Sequence, residues 1–384
     1  MSRKLITIST IMTLMSTSVI ADVPNVAADI APIHSLVSRV MDGVGAPKLI
    51  VQSGASPHGY RLRPSEAKAL QDADHVFWMG EELTPWLDSA IGTLASKASV
   101  TTLLDQQGVI LHDFREGALF EAHDHSAHGD DDHDDHDDHK DHDDHDDHDD
   151  HDDHKDHDDH DDHDDHDDHK DHDDHDDHKG HDDHDDHDDH DDHDDHEDHD
   201  DHKDHDDHDD HDDHGSHDPH AWLSPENAKL WLNIIASKLS VSDPENAATY
   251  FMNAAAGQAE IEAMIAEVKA TLKPVQGGKF VVFHDAYQYF ENDFDFYASG
   301  AISLGDSSDP SPARIEKVQK RIRDEGIQCV LAEPQFKKGL VATVMEGSDA
   351  TASVIDPLGA ELETGPKLYT RLIKNMAKTL RNCL

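Results

Sequence analysis

Residues 243–272 read DPENAATYFMNAAAGQAEIEAMIAEVKATL. From Pro244 to Leu272 the run is made of strong helix formers with no internal proline, which predicts a single helix of about 30 residues. A helix that long in a chain of 384 residues is suited to spanning two lobes. On its C-terminal side, KFVVFHDAYQYFENDF (279–294), FYASGAISL (296–304), SPARIEKVQKRIRDEGIQCVLAEPQF (311–336), TASVIDPLGAE (351–361) and KLYTRLIKNMAKTLRNCL (367–384) alternate apolar strand runs with helical spacing. On its N-terminal side the same alternation runs through PNVAADIAPIHSLVSRVMDGVG (24–45), KLIVQSG (48–54), RPSEAKALQDAD (63–74), HVFWMG (75–80), LTPWLDSAIGTLA (83–95) and SVTTLLD (99–105). Strands separated by helices of ten or so residues imply an α/β chain with mostly parallel sheets.

Between the N-terminal alternation and DPHAWLSPENAKLWLNIIASKL (218–239), where Ser224-Pro225-Glu226 opens a helix in capping style, lies a segment of another kind. From His133 to His220 histidine recurs at every third position, separated mainly by Asp-Asp. Residues 122–217 hold 51 Asp, one Glu and five Lys, so they carry −47 of the formal net charge of −56. Such a composition has nothing apolar to bury and is expected to be disordered without metal. It joins two ordered segments and is therefore an insertion. Its imidazoles and carboxylates are suited to zinc and its borderline neighbours. The acidity excludes nucleic acid as a partner.

The first residues, MSRKLITISTIMTLMSTSVIADVPN, combine a basic start at Arg3 and Lys4, an apolar stretch from Leu5 to Ile20, and a small-residue pattern at Val19-Ile20-Ala21. This is the pattern of a cleavable export signal over residues 1–21. The two cysteines, Cys329 and Cys383, form an even pair in a chain expected to be exported, which favours a disulfide over a metal site or a nucleophile. The bridge would pin the C-terminal helix to the CVLAE strand and contribute about 2–4 kcal/mol.

Ligands of α/β folds bind beyond the carboxyl ends of strands. That rule selects His58 in LIVQSGASPHGY, His284 in VVFHDAYQYF and Asp356 in TASVIDPLG, with His220 just before the helix that restarts the ordered chain. Three imidazoles with a carboxylate or water form a four-coordinate set for zinc. Each also has a plain reading. His58 is a turn residue, Asp356 precedes a proline, and His220 falls in register with the repeat. Asp285 is placed to be a hydrogen-bond partner of His284, and Glu333 is a candidate for the same supporting part. His34 follows the first strand and could approach the cleft or simply belong to its helix. His75 and His112 carry no signal of their own.

The segments ASPHGYRLRPS, DPHAWLSPENA, VVFHDAYQYF, LAEPQF, VIDPLG and NMAKTLRNCL together resemble the periplasmic zinc-binding proteins that serve zinc ABC importers. The likeness covers the mature chain outside the insertion. It implies two Rossmann-like lobes joined by a long rigid helix, with metal in the cleft between them. The domains would be a signal peptide (1–21), an N-terminal lobe (22–121 and 218–243), the His/Asp-rich loop (122–217), the spanning helix (244–273) and a C-terminal lobe (274–384). The family's ligands map onto His58, His220, His284 and Asp356, and its bridging cysteines onto Cys329 and Cys383. Manganese-carrying relatives tend to have a carboxylate where this chain has His284. Some zinc members have Glu before the first histidine, where this chain has Pro57, so the fourth position falls to Asp356, water or a further histidine.

The function implied is an extracytoplasmic, monomeric zinc receptor that hands its ion to a membrane permease driven by an ATPase subunit. The insertion would collect zinc for the cleft, buffer it, or be a repeat-expanded tract of little consequence. The competing readings are a periplasmic metal buffer and a receptor for manganese or iron. No phosphate loop, GxGxxG or general base with a defined partner is present, which argues against an enzyme.

Overall fold

The computed structural model describes residues 23–115, 120, 217–303, 305, 310–336 and 338–384. Residues 1–21, expected to be an export signal, and the insertion, His217 excepted, lie outside the described residues. The first half contains β1 (Val26–Ala28), α1 (Ala31–Val40), β2 (Lys48–Leu49), α2 (Pro64–Gln71), β3 (His75–Trp78), α3 (Pro85–Leu94) and β4 (Ser99–Thr102). After the insertion come a short 3-10 turn at Ala221–Leu223, α4 (Pro225–Ser242) and α5 (Ala247–Leu272). The second half contains β5 (Phe280–His284), α6 (Gln288–Phe294), β6 (Ala301–Ser303), α7 (Pro312–Glu325), β7 (Cys329–Ala332), α8 (Lys338–Val344), β8 (Thr351–Val354) and α9 (Leu368–Cys383).

Each half builds a four-stranded sheet, in the orders β2-β1-β3-β4 and β6-β5-β7-β8. Every pairing is parallel. The two orders are the same pattern, with the first strand of each half placed second. The inner strands are covered on both faces, as parallel strands must be, and HVFW of β3 and FVVFH of β5 are buried throughout.

Helix α5 runs for 26 residues, about 39 Å at 1.5 Å per residue. Its buried side chains, Tyr250, Ala254, Gly257, Ile261, Met264, Val268 and Leu272, recur every three or four positions and form one stripe. The stripe packs on α1 from the first half, on the preceding helix α4 and on α9 from the second half. At Gly257 a Cβ would meet Leu232 at 3.0 Å and Arg39 at 3.1 Å, so glycine there sets how closely α1, α4 and α5 approach. The helix starts three residues later than the sequence suggests. Asp243 is fully buried and binds Asn246 and the Tyr250 hydroxyl, which holds 243–246 as a turn before the helix.

One apolar core runs from β1 through α4, α5 and α9 to β5. Polar ties also cross between the halves. Ser35 donates to the Gly365 carbonyl at 2.8 Å, Trp222 to that of Pro357 at 2.9 Å, and Tyr369 to that of Trp222 at 3.0 Å. The Cys329–Cys383 disulfide fastens α9 to β7, with the two Cα atoms 5.6 Å apart.

Candidate metal centre

The turn after β2 carries His58. This turn is held by the Trp86 indole N–H, which donates to the Pro57 carbonyl at 2.7 Å, and by the Tyr60 hydroxyl, which donates to buried Glu66 at 2.8 Å. Glu66 in turn accepts the Arg63 N–H that opens α2, at 2.7 Å. His58 itself is half-buried. His220 and His284 are both buried, the first at the mouth of the 3-10 turn and the second at the carboxyl end of β5.

These three histidines form one group, with a donor atom from each lying within 4.8 Å of the others. The Nε2 atoms of His220 and His284 are 3.4 Å apart. Each of these two rings turns its Nδ1 to a buried carboxylate. His220 meets Asp218 at 2.7 Å and His284 meets Glu333 at 2.5 Å. A carboxylate only accepts, so each Nδ1 donates to its carboxylate, and the facing Nε2 atoms are close enough for one proton or one metal ion to lie between them. Two lone pairs aimed at one another repel unless a cation sits between them, and the carboxylates strengthen both as donors.

Around this group lies a layer of buried charge. Asp285 and Glu291 share the guanidinium of Arg115. Its Nε lies 3.0 Å from both Asp285 oxygens, Nη2 also binds Asp285, and Nη1 lies 2.6 Å from Glu291. Phe120 stacks on the guanidinium at 3.6 Å. Burial pushes the Asp218 carboxyl up to about 6 against the pull of the His220 N–H and Arg115, and pushes Glu291 up to about 7 against Arg115. Burial raises Asp285 too, with Arg115 opposing it. Four buried carboxyls, Asp218, Asp285, Glu291 and Glu333, thus surround the imidazoles with one guanidinium among them. Burial disfavours negative charge on these acids, and a cation among them would offset that.

Of the residues singled out in the sequence, His58, His220 and His284 come together. Asp356 follows β8 at the same end of the second sheet but is not part of the group. Its Oδ1 accepts the N–H groups of Leu358 and Gly359 at 3.0 and 2.9 Å, and Oδ2 accepts that of Ala360 at 2.5 Å.

Asp285 does not support His284. Neighbouring residues at a strand end point to opposite sides, so Asp285 turns to Arg115 while Glu333, from the adjacent strand, takes the imidazole. His34 stays within its helix, buried, with Nε2 3.2 Å from the Pro47 carbonyl and Nδ1 3.4 Å from the Ser38 hydroxyl. His75 binds Ser242 at 2.7 Å, and His112 packs on Tyr289 with ring centres 4.7 Å apart. Sequence reading missed Asp218 and Arg115. The Asp-Pro-His spacing was a usable signal for the first, because Asp218 also accepts the His220 N–H two residues on, at 2.9 Å. Nothing local marked Arg115.

The family model for the periplasmic component A of the zinc-uptake complex, ZnuA, matches residues 26–383. The high-affinity zinc uptake system protein ZnuA of Brucella abortus is 43% identical over 359 residues, which are 94% of this chain and 91% of the relative. Its counterpart in Paracoccus denitrificans is 40% identical over 365 residues, 95% of this chain and 93% of that one. Among solved structures, a crystal structure of ZnuA superposes with a TM-score of 0.61 at 18% identity, covering 94% of this chain and 99% of its own. A zinc-bound ZnuA deletion mutant gives 0.60 at 18% identity, over 94% and 98%. At these identities the solved structures establish the fold.

Proposed function

The chain belongs to the ZnuA family and acts as an extracytoplasmic zinc-binding receptor for a zinc ABC importer, and on that premise we propose that His58, His220 and His284 hold the zinc ion, with Asp356 as the carboxylate for the fourth position. The observation that carries this reading is the pair of Nε2 atoms 3.4 Å apart, each ring held by a carboxylate at its other nitrogen. Two nitrogens bound at about 2.0–2.1 Å to a tetrahedral zinc lie roughly 3.3 Å from one another. Three imidazoles favour zinc over manganese, and Asp356 has an acceptor position left on Oδ2 beyond its bond to Ala360. Zinc reaches this centre as cargo, and the receptor carries out no chemistry on it.

Residues 1–21 serve as an export signal in this reading. The working domains are an N-terminal lobe (22–121 and 218–243), the spanning helix (244–273) and a C-terminal lobe (274–384). The mature protein works as a monomer with the importer's permease and ATPase subunits. The insertion collects or buffers zinc, since many weak sites on one chain raise the local concentration of metal at the lobes that carry them.

The test is a chelator-competed zinc titration of the mature protein lacking residues 122–217, beside the full chain. One tight zinc per chain in the shortened protein is expected, with only the weak capacity lost. Loss of the tight site with the deletion would move the function into the insertion.

A further inference from the structure

Arg115 touches none of the three histidines, yet it grips the residue that follows one of them. The His284–Asp285 pair is held from two sides. Glu333 takes the imidazole of His284, and the guanidinium of Arg115 takes the carboxylate of Asp285 through three contacts. The same guanidinium reaches Glu291 on α6, buried in the core beneath this strand end. Arg115 itself comes from the stem leading into the insertion, and that stem is bolted to the second ligand's support. The His112 carbonyl accepts the Asp218 N–H at 2.8 Å, and Asp113 pairs with His217 in an antiparallel bridge. The Tyr289 hydroxyl accepts the His112 N–H at 3.1 Å and donates to the Asp218 carbonyl at 2.7 Å.

We propose that Arg115 is a positioning residue of the metal centre: its planar fork fixes the strand end that presents His284 and anchors the stem that holds Asp218 beneath His220, so it sets the tightness of a site it does not touch. This rests on the zinc-receptor reading of the three histidines. Arginine suits the task because its fork matches both oxygens of Asp285 while a third nitrogen is spent on Glu291. A lysine keeps the charge without the fork. The plain alternative is that Arg115 only stabilises the fold by pairing two buried acids.

The experiment uses the full-length mature chain with R115K and R115M, loaded with less than half an equivalent of metal so that only the tightest site fills. Chelator competition reads zinc affinity, and the visible absorption of the cobalt-loaded protein reads the ligand geometry. Removing support of this kind typically weakens metal binding 10–100-fold, and about tenfold is expected for R115M, with an altered cobalt spectrum. R115K should fall between it and the unaltered protein, with a melting temperature nearer the latter. Variants that melt earlier but keep the unaltered zinc affinity and cobalt spectrum would overturn the proposal, and R115K decides alone where R115M fails to fold. H284A is run alongside. Unchanged tight binding in H284A would sink the receptor reading itself, whereas weakened H284A with unchanged R115 variants would sink only the part given to Arg115.

Discussion

Two pairs of buried histidines in this molecule are wired differently. Beside the first sheet, His34 and His75 meet neutral partners, the Pro47 carbonyl, the Ser38 hydroxyl and the Ser242 hydroxyl. At the group between the sheets, His220 and His284 meet the carboxylates Asp218 and Glu333. Neutral partners leave burial as the dominant influence, which lowers the proton affinity of His34 and His75 and keeps them as uncharged packing residues. A carboxylate at Nδ1 fixes the tautomer, orients the ring and makes Nε2 a better donor to a cation. The partner of a buried imidazole therefore separates the histidines proposed as ligands from the other buried ones, which burial does not.

The largest expected effect lies at the carboxylate-wired pair. H284A should weaken the tight zinc by more than about 100-fold, above the range for losing a supporting residue. H58A should cost roughly tenfold less, because His58 is half-exposed and water can take its place. Chelator competition at sub-stoichiometric zinc measures both. Equal losses would break the distinction between held and loosely held ligands.

A smaller effect belongs to the turn that carries His58. Trp86 donates to the Pro57 carbonyl and its ring lies 5.7 Å from that of Tyr60. W86F keeps an aromatic ring and removes the hydrogen bond, worth about 1 kcal/mol net. The expected result is roughly fivefold faster zinc release, read by stopped-flow chelation, with little change in melting temperature. Release at the unaltered rate would show that the turn is held without the indole.

The histidines at strand ends were legible in the sequence because the parallel α/β rule points to the loops that follow strands, and His58 and His284 lie there. The two sheets were legible from the alternation of strand and helix. What could not be read was which acid serves which imidazole. Asp285 adjoins His284 in sequence, yet the ring is served by Glu333, 49 residues away, and Asp285 by Arg115, 170 residues away. These are choices made by strand pairing across β5 and β7 and by the return of the chain after the insertion, and no local pattern encodes them. The start of α5 was misread for a related reason. Pro244 is a good first-turn residue, but Asp243 is tied to Tyr250 one turn into the helix and keeps the preceding residues in a turn.

The smallest effect tests the neutral-wired pair. Burial lowers the folded-state proton affinity of His34 below its ordinary value of 6.5. The unfolded chain therefore takes up a proton first as the pH falls. Stability that His34 leaves intact above pH 6.5 is lost as the pH drops below that value toward the lowered folded one, at up to about 1.4 kcal/mol per pH unit. The buried acids Asp29 and Glu291, both pushed up to about 7 by burial, run the opposite way and gain stability as the pH falls, but they are present in every variant. The difference between the unaltered protein and H34Q therefore isolates the imidazole. Urea unfolding of the metal-free proteins at pH 7.5 and 5.5 should show H34Q losing less stability between the two. The same substitution should leave zinc affinity at pH 7.5 unchanged, because among the described residues His34 bonds to Pro47 and Ser38. A weakened zinc site in H34Q would place His34 with the ligands after all, and would mean that the partner of a buried imidazole does not decide its role.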